Sequence, residues 1–332
     1  AYLKEFLSDP RVVEIPRFIW WFILNGIILP IRSSASAKKY ASIWLPQLGS
    51  PLMHYSRLQA KELQEKFTNE GHTVLVSLAM RYGKPSTQEV LENLKAEGME
   101  RLLLLPLYPQ YSATTTASSF DEVFRVLSTW RNQPELRLVK HYHDNLAYIA
   151  ALRDQVLSSW DKDGRPDFAR GDRLVMSFHG LPKRNLMKGD PYHCECLKTG
   201  RLLGEALGLD SNQYIVTFQS RFGKAEWLKP YTAPTLEKLA KEGCHRVDVF
   251  CPGFPADCLE TLEEIAMEAR ESFLERGGKD YRYIPCLNSN FKWIEALSDI
   301  AYTHLQGWSL GSESSEELAR RNDRAEFVQK QS

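Results

Sequence analysis

Strand-like and helix-like stretches alternate along this chain from residue 71 to about residue 304, and this alternation limits the possible folds more than any other feature. Short runs rich in β-branched and aromatic residues predict strands, and amphipathic stretches of helical periodicity separate them. Strands and helices that alternate in this way form parallel sheets with right-handed crossovers, so the predicted fold class is α/β. The predicted strands are 72–80, 101–107, 136–142, 173–178, 214–218, 246–251 and 281–285.

Length and composition limit the function classes. The chain has 332 residues, which predicts two domains because single cores stop growing near ~250–300 residues. Its 42 basic residues balance 42 acidic ones, so no net charge recruits nucleic acid or an anionic membrane. Six cysteines occur without a C-x-x-C pair, which is typical of free thiols in a reducing compartment.

Interruptions of the pattern predict the domain organisation. A polar turn at 131–134 and the segment 141–144 separate two halves that show the same order of strand, loop and helix. We therefore predict two similar Rossmann-like domains, 1–135 and 136–289, that face each other across a cleft. A helix near 290–307 is expected to pack back on the first domain. Residues 309–332 are polar and predict a disordered tail.

One apolar stretch, FIWWFILNGIILPI at 18–31, needs its own explanation. It is interrupted by Asn25, Gly26 and Pro30, and it is shorter than the roughly 20 residues of a membrane span. Two interpretations stay open: a buried core helix, or an apolar lip that receives a ligand or touches a bilayer surface.

Unusual loops follow several predicted strands. Carboxyl ends of parallel strands meet at one edge of a sheet, where α/β proteins bind their ligands. Aromatic and polar side chains collect in these loops, with Pro and Gly fixing the backbone, which favours a planar conjugated ligand. The loops contain Arg81 and Tyr82, then Tyr108, Gln110 and Ser112, then His179, and finally Gln219 and Ser220.

An imidazole and a row of carboxylates are the predicted chemical groups. His179 ends one buried strand, and its ring can accept a proton or bind a metal. Asp257 and Glu260 follow another strand; Asp257 could also cap the helix that begins there. Glu264 and Glu268 continue at four-residue intervals, so they share one helix face with Glu260. This arrangement predicts a site that accepts protons and passes a divalent cation.

Other histidines and cysteines give weaker signals. The segment from His193 to Cys196 contains potential metal ligands, but a structural zinc site needs four of them. Only Cys244 and His245 form another such cluster. His141 and His143 are interpreted as residues of the connection between the two halves.

Five segments together resemble the bacterial-type ferrochelatases. The resemblance runs from residue 2 to about residue 306, and it implies the chelatase fold, with the active site in the cleft between its two domains. It also implies the terminal step of haem biosynthesis, the insertion of ferrous iron into protoporphyrin IX to give protohaem. The segments are LPLYPQYSATTTASS (105–119), SFHGLP (177–182), GDPYHCECLKT (189–199), TFQSRFGKAEWLKPYT (217–232) and CPGFPADCLETLEEI (251–265).

The resemblance also implies roles for individual residues. His179 matches the histidine that accepts pyrrole protons or binds the metal, and Glu260 matches the acid opposite it. Glu264 and Glu268, with Asp257, match an acidic path for protons or metal. Matches to the porphyrin-binding residues comprise Arg81 and Tyr82, the aromatic Trp227, and Arg32, Tyr40 and Ser50 where the family holds the propionates.

Three departures from the family pattern lead to further expectations. The family begins with a strand and an L-G-T-P loop before the segment YLKEFLSD, so we expect this sequence to be a fragment that lacks that strand. Cys258 stands where some relatives carry a histidine. No cysteine follows Cys286, so no [2Fe-2S] cluster and no other permanently bound cofactor is predicted, with Fe²⁺ as substrate.

Alternatives remain at this point. A coproporphyrin ferrochelatase or a cobaltochelatase would have the same fold, and a porphyrin- or haem-binding protein without activity would need the cleft alone. Four propionates would need more basic residues than Arg32 and Arg81. The expected partners are protoporphyrin IX and Fe²⁺, with peripheral membrane contact or handover from the preceding pathway enzyme, and no nucleic acid. The expected location is the cytoplasm, with peripheral contact at the inner membrane.

Overall fold

The computed structural model describes residues 2–223 and 225–311, together with 320, 323, 324 and 327. The side chains of residues 2 and 31–36 are not part of that description, and most of the predicted tail lies outside it. The start of the tail is attached to the fold, since N of Thr73 donates to O of Leu310 at 2.8 Å and Leu310 packs against the core.

All strands in the described residues are parallel and coincide with predicted ones, so the α/β fold class is confirmed. They form a two-stranded sheet in the first half and a four-stranded sheet in the second half. The strands are β1 (Arg101–Leu104), β2 (Glu135–Leu138), β3 (Arg173–His179), β4 (Tyr214–Gln219), β5 (Arg246–Phe250) and β6 (Asp280–Ile284).

Helices connect these strands and cover the sheets. Three π-helical segments, Leu24–Ile28, Ala113–Ala117 and Glu260–Ala269, run directly into α-helices, and one 3₁₀ turn spans Phe168–Arg170. The α-helices are α1 (Tyr2–Ser8), α2 (Arg17–Ile23), α3 (Leu29–Ser42), α4 (Pro51–Asn69), α5 (Thr87–Ala96), α6 (Ser118–Leu127), α7 (Leu146–Asp163), α8 (Lys183–Met187), α9 (Tyr192–Ala206), α10 (Thr232–Lys241), α11 (Arg270–Glu275) and α12 (Phe291–Leu305).

The larger sheet has the order β4–β3–β5–β6, which places β3 in its interior. Residues 174–178 of β3 are fully buried, as expected for a parallel strand that is covered on both faces. The register pairs His179 with Gln219, so the ends of β3 and β4 lie side by side. These two ends form one wall of the cleft described below.

The predicted strand 72–80 is wrong as a sheet strand. Its side chains alternate between half-buried and exposed, as in an extended strand, but within the described residues it pairs with no other strand. Its backbone is held at the ends, by Leu310 at Thr73 and by the contact between Met80 and Ser86. In the middle, the side-chain amide of Gln64 binds O of Val74 and N of Val76. A cavity lies between 73–80 and 101–105. The segment 73–80 therefore has the residue pattern of a strand but no adjacent strand among the described residues.

One continuous core joins the two predicted domains. Helix α12 packs most on α7 of the second predicted domain and also on α4 and β1 of the first. The fully buried Trp293 of α12 contacts Tyr148 of α7, with ring centroids 5.9 Å apart. The boundary near residue 135 stays a prediction, because apolar contacts continue across it.

The apolar stretch 18–31 belongs to a long helix, 17–42, that contains a π-helical segment. Leu24 is buried, and Nε1 of Trp20 donates to O of Leu7 at 2.6 Å. Much of the rest is exposed, including Phe18 (78%) and Trp21 (60%), which favours the lip over a core helix. None of the helices in the described part of the chain has the length and apolar character needed to cross a membrane.

We predict that Trp293→Ala lowers the free energy of unfolding by about 3–5 kcal/mol, because it leaves a cavity where α7 and α12 meet. Denaturant unfolding measures this change. Phe291→Ala in the same helix is the matched control, since Phe291 is 68% exposed and its loss should change little. Equal effects of the two substitutions would contradict this location of the core.

Candidate functional site

A large cavity of about 1270 Å³ opens at the carboxyl ends of β1 and β3. It continues from the surroundings of His179 into the gap between 73–80 and 101–105, so the ligand site is one part of this volume. Of the predicted site residues, those that line it are Tyr40, Arg81, Tyr108, Gln110, Ser112, His179, Ser220, Trp227 and Glu260. Ser50, Tyr82, Gln219, Asp257, Glu264 and Glu268 are not part of its lining. The side chain of Arg32 falls outside the described residues.

His179 has a defined orientation at the end of β3. Its Nδ1 lies 2.7 Å from the carbonyl oxygen of Gly180. A carbonyl can only accept, so Nδ1 carries the proton and Nε2 keeps a lone pair in the neutral ring. The ring of Phe254 is nearby, with centroids 6.5 Å apart. The imidazole can therefore accept a proton or bind a cation through Nε2.

Glycine is required beside this histidine. N of Gly180 donates to O of Gln219 at 2.8 Å, and a Cβ at position 180 would lie only 2.4 Å from that oxygen. The ring of Trp227 would be 3.2 Å away. Since both neighbours belong to packed parts of the cleft wall, a side chain at this position would push β3 and β4 apart.

Glu260 enters the cleft from the first turn of a π-helical segment. Nε2 of Gln219 donates to the backbone O of Glu260 at 2.8 Å, which ties this segment to β4. Burial, and then the charge of Glu260, raise the pKa of Tyr40 to about 12, so Tyr40 stays protonated as a donor. Burial and the Glu260 charge also raise the pKa of Cys258, so this thiol is protonated in the metal-free cleft.

The acidic residues after Glu260 do not continue as an open row. The carboxylate of Glu264 accepts from N and Oγ of Ser220, at 2.6 and 2.5 Å. Lys39 binds Glu268 at 2.7 Å and Glu263 at 2.8 Å. A π-helix brings residues i and i+5 together. Glu263, which does not belong to the predicted four-residue series, therefore lies near Glu268, and both bind Lys39.

Asp257 is buried behind the cleft, and its carboxylate has several partners. Oδ2 accepts from Nδ2 of Asn288 at 2.7 Å. Oδ1 accepts from Oγ1 of Thr261 at 3.1 Å and from the hydroxyl of Tyr283. Asp257 thus fixes the chain before the π-helical segment, but the predicted cap is wrong: Leu259 is at the cap position, and no side chain caps the first turn. Its part in a metal or proton path stays a prediction.

Arg81 and Tyr82 share one buried carboxylate that the sequence does not point to. Nη2 of Arg81 binds Oδ2 of Asp9 at 2.5 Å, and the hydroxyl of Tyr82 donates to the same oxygen at 2.8 Å. Burial raises the pKa of Asp9, but hydrogen bonds from Ser118 and N of Arg11 outweigh it and lower the pKa overall. The predicted Arg-Tyr pair is therefore a rigid wall held by α1 and α6.

Gln110 and Ser112 also face structural partners. Nε2 of Gln110 donates to Oγ1 of Thr199 at 3.0 Å, and Oγ of Ser112 donates to Asp190 at 3.0 Å. Trp227 is different, because its Nε1 is buried and has no hydrogen-bond partner among the described residues. The residue lines the cavity, but this nitrogen itself is shielded from solvent.

Further basic residues, which the sequence analysis missed, line the cavity. Arg11 and Arg184 are among them, in addition to Arg81. Arg184 comes two residues after the SFHGLP segment, and this closeness to a recognised motif could have identified it. Arg11 and Asp9 lie in a loop without a motif, and no sequence signal marks them. Counting Arg32 and Arg81 alone therefore underestimates the positive charge of the cleft.

Comparisons with known proteins agree on one family. A family model described as Ferrochelatase matches residues 1–305. A ferrochelatase of Janthinobacterium sp. (strain Marseille) is 64% identical over 307 residues, which are 92% of this chain and 82% of the relative. A ferrochelatase of Herminiimonas arsenicoxydans is 63% identical over 308 residues, which are 93% and 82% of the two chains.

Solved structures agree with this fold at low sequence identity. SirB from Bacillus subtilis with Fe³⁺ has a TM-score of 0.55 at 13% identity, covering 78% of this chain and 93% of that one. The cobalt complex of the sirohydrochlorin chelatase SirB from the subspecies spizizenii has a TM-score of 0.51 at 11% identity, covering 76% and 90%. The fold is therefore that of the chelatases.

We predict that Gly180→Ala lowers the free energy of unfolding by about 1–3 kcal/mol, because the added methyl group meets the Gln219 carbonyl. Chemical denaturation gives the value. Gly26→Ala is the matched control: nothing lies within 4 Å of its added Cβ, so this helical site should be unchanged or stabilised. A neutral effect at position 180 would contradict the close packing beside His179.

Proposed function

Because the chain belongs to the ferrochelatase family, and is thus a metal chelatase that inserts iron into a porphyrin in haem synthesis, we propose that its substrate is protoporphyrin IX and its metal Fe²⁺. The observation that supports this best is the joint location of His179 and Glu260 in the lining of one large cavity. A proton acceptor and a carboxylate beside a wide apolar cleft suit a flat macrocycle that exchanges protons for a dication.

The proposed reaction replaces two pyrrole N–H protons with one Fe²⁺, which leaves the charge balanced. Nε2 of His179 accepts a pyrrole proton, because Nδ1 is bound to the Gly180 carbonyl. The lone pair of Nε2 that accepts this proton is the same one that would bind the incoming iron. The metal approaches past Glu260, whose carboxylate offsets its charge as the protons leave.

Distortion of the macrocycle is part of this proposal. In a flat porphyrin the four nitrogens lie in the ring plane, so an incoming ion meets little lone-pair density. Contacts between the ring and the cleft walls can supply the energy to bend it. Trp227 packs against Gly180, and Arg81 is bound to Asp9. Both side chains are therefore held in place when the macrocycle is bent against them.

Protons leave the cleft along the π-helical segment in this scheme. Glu260 is the first carboxylate, Glu264 the second, and Glu268 the exposed end of the path. Ser220 connects to Glu264 by two hydrogen bonds and also lines the cavity, which makes it a link between cleft and path. Asp257 enters this path only as the residue that holds its first turn.

A coproporphyrin ferrochelatase is the second candidate. Arg184 lines the cavity in addition to Arg81, and an extra cation suits a substrate with four propionates. Arg11 also lines it, but its guanidinium is paired with Asp121 at 2.7 and 3.1 Å. Comparison of kcat/KM for protoporphyrin IX and coproporphyrin separates the two, since the correct substrate should react faster. A cobaltochelatase would be identified by preference for Co²⁺ over Fe²⁺ with either porphyrin.

Membrane contact is proposed for the lip formed by 17–28. Phe18, Ile19, Trp21, Phe22 and Ile27 are each more than half exposed there. Amphipathic aromatic residues favour the interface of a bilayer. We propose that the enzyme works in the cytoplasm, touches the inner membrane through this lip, and receives its porphyrin there or from the preceding haem-pathway enzyme. The lack of an iron–sulfur cluster stays a prediction.

We predict that His179→Ala lowers kcat for anaerobic iron insertion by at least about 100-fold, because the proton acceptor is lost. Porphyrin binding, followed by tryptophan fluorescence quenching, should change little. His193→Ala is the matched control, since that ring stacks on Phe218 and does not line the cavity. Turnover of His179→Ala close to the wild-type rate would rule out this role.

We predict that Trp21→Ser combined with Phe22→Ser weakens binding to vesicles containing phosphatidylglycerol by about tenfold or more, because two exposed aromatic groups no longer insert. Cosedimentation measures the bound fraction. Leu146→Ser is the control and should leave binding unchanged. Leu146 is 82% exposed and is distant from the lip in the sequence. Equal binding by all variants would place the contact elsewhere.

A further inference from the structure

Two histidines and a glutamate converge next to the loop that carries Gln110 and Ser112, outside the lining of the main cavity. His141 and His143 lie between β2 and α7, and Glu195 lies in the first turn of α9. Nδ1 of His141 is 2.7 Å from Oε1 of Glu195, and Nδ1 of His143 is 3.4 Å from Oε2. One ligand atom from each residue falls within 4.8 Å of the other two. None of the three residues lines the main cavity.

His143 provides an independent sign that something is bound here. The residue is 6% exposed, and its buried Nδ1 makes no hydrogen bond to any described part of the chain. Buried polar atoms without partners are rare in native proteins, and each one needs an explanation. This atom points at Glu195, so a cation between them would satisfy both.

Neighbouring groups orient the three side chains, as the hydrogen-bond partners of metal ligands do in metal sites. Nε2 of His143 lies 3.8 Å from Oδ2 of Asp144, which Lys198 holds at 2.5 Å. The backbone N of Tyr111 donates to Oε2 of Glu195 at 2.7 Å. Metal-bound histidines commonly have a carboxylate beside their other ring nitrogen, and metal-bound carboxylates commonly accept further hydrogen bonds.

We propose that His141, His143 and Glu195 form a second divalent-metal site, with a preference for Zn²⁺ and an open fourth position. Two imidazoles and one carboxylate suit Zn²⁺, whereas Ca²⁺ and Mg²⁺ prefer sites made of oxygen ligands. A tetrahedral Zn²⁺ with these ligands separates neighbouring ligand atoms by roughly 3.3 Å. The contact of His143 with Oε2 of Glu195 has about this spacing, and the contact of His141 with Oε1 is shorter at 2.7 Å. All three ligand atoms lie within 4.8 Å of one another, so small side-chain shifts would complete the site.

Access and position indicate a structural function for this metal. The side chain of His141 is 40% exposed, which gives an ion a route from solvent. The site joins the connection after β2 to α9, and through Glu195 to the loop at Tyr111, so it lies where the two predicted domains meet. A bound ion would therefore stabilise the folded protein by linking these three segments.

A hydrogen-bonded pair of His141 and Glu195 is the competing explanation. It accounts for the 2.7 Å contact, but it leaves the buried Nδ1 of His143 without a partner. The two explanations differ in one measurable respect: a simple pair needs no metal, whereas the site should bind one Zn²⁺ per chain outside the cleft.

The experiment must separate this site from the substrate metal. The variant His179→Ala with Glu260→Gln removes the two predicted metal ligands that line the cavity, and Zn²⁺ is titrated into it without porphyrin, against a chromogenic chelator. We expect one Zn²⁺ per chain and a rise in Tm of roughly 4 °C at saturating metal. Adding His141→Ala should weaken Zn²⁺ binding at least about tenfold and abolish the rise.

His245→Ala in the same background is the matched control, because His245 is an exposed histidine before β5. It should bind Zn²⁺ like its parent. X-ray absorption of the bound Zn²⁺ should show two imidazoles. Unchanged Zn²⁺ affinity after His141→Ala, or no bound Zn²⁺ in the cleft variant, would overturn the proposal. Neither outcome affects the proposed function, since iron insertion is measured separately with the cleft intact.

Discussion

The buried amide of Gln219 is the constraint on which the cleft depends. Its Oε1 accepts from Oγ of Ser177 at 2.7 Å, and its Nε2 donates to O of Glu260 at 2.8 Å. Its backbone oxygen accepts from Gly180. One residue thus joins β3, β4 and the π-helical segment. Because each unmade buried hydrogen bond costs about 1–3 kcal/mol, these elements have one favourable arrangement, and it brings His179 and Glu260 into one cavity.

A buried polar side chain also fixes another wall of the cleft. Arg81, Tyr82 and Ser118 all bind Asp9, which lies between α1 and the loop that leads to the lip. These polar groups are already partnered, so binding of a macrocycle does not have to order them. Pre-organised walls of this kind spend less of the binding energy on positioning and leave more for strain in the ligand.

The sequence predicts this fold well where the local residue pattern determines the secondary structure. The buried run of β3, followed by His179 and Gly180, places the imidazole at a sheet edge without any knowledge of distant residues. Local pattern fails where a partner is far along the chain: Asp9 is 72 residues before Arg81, and Lys39 binds Glu263 and Glu268. The four-residue spacing of glutamates also assumes an α-helix, and the π-helical turn changes which carboxylates become neighbours.

The segment 72–80 is held in a different way from the sheet strands. Residues of β3 pair with strands on both sides, whereas 74–79 have no strand partner within the described chain. There the side chain of Gln64 takes the place of a strand: N of Val76 donates to its Oε1 at 2.7 Å, and its Nε2 donates to O of Val74 at 2.9 Å. This segment and β1 border the same cavity that contains His179. One amide of α4 therefore determines where this border of the cavity lies, and the loss of that single side chain would release two backbone groups at once.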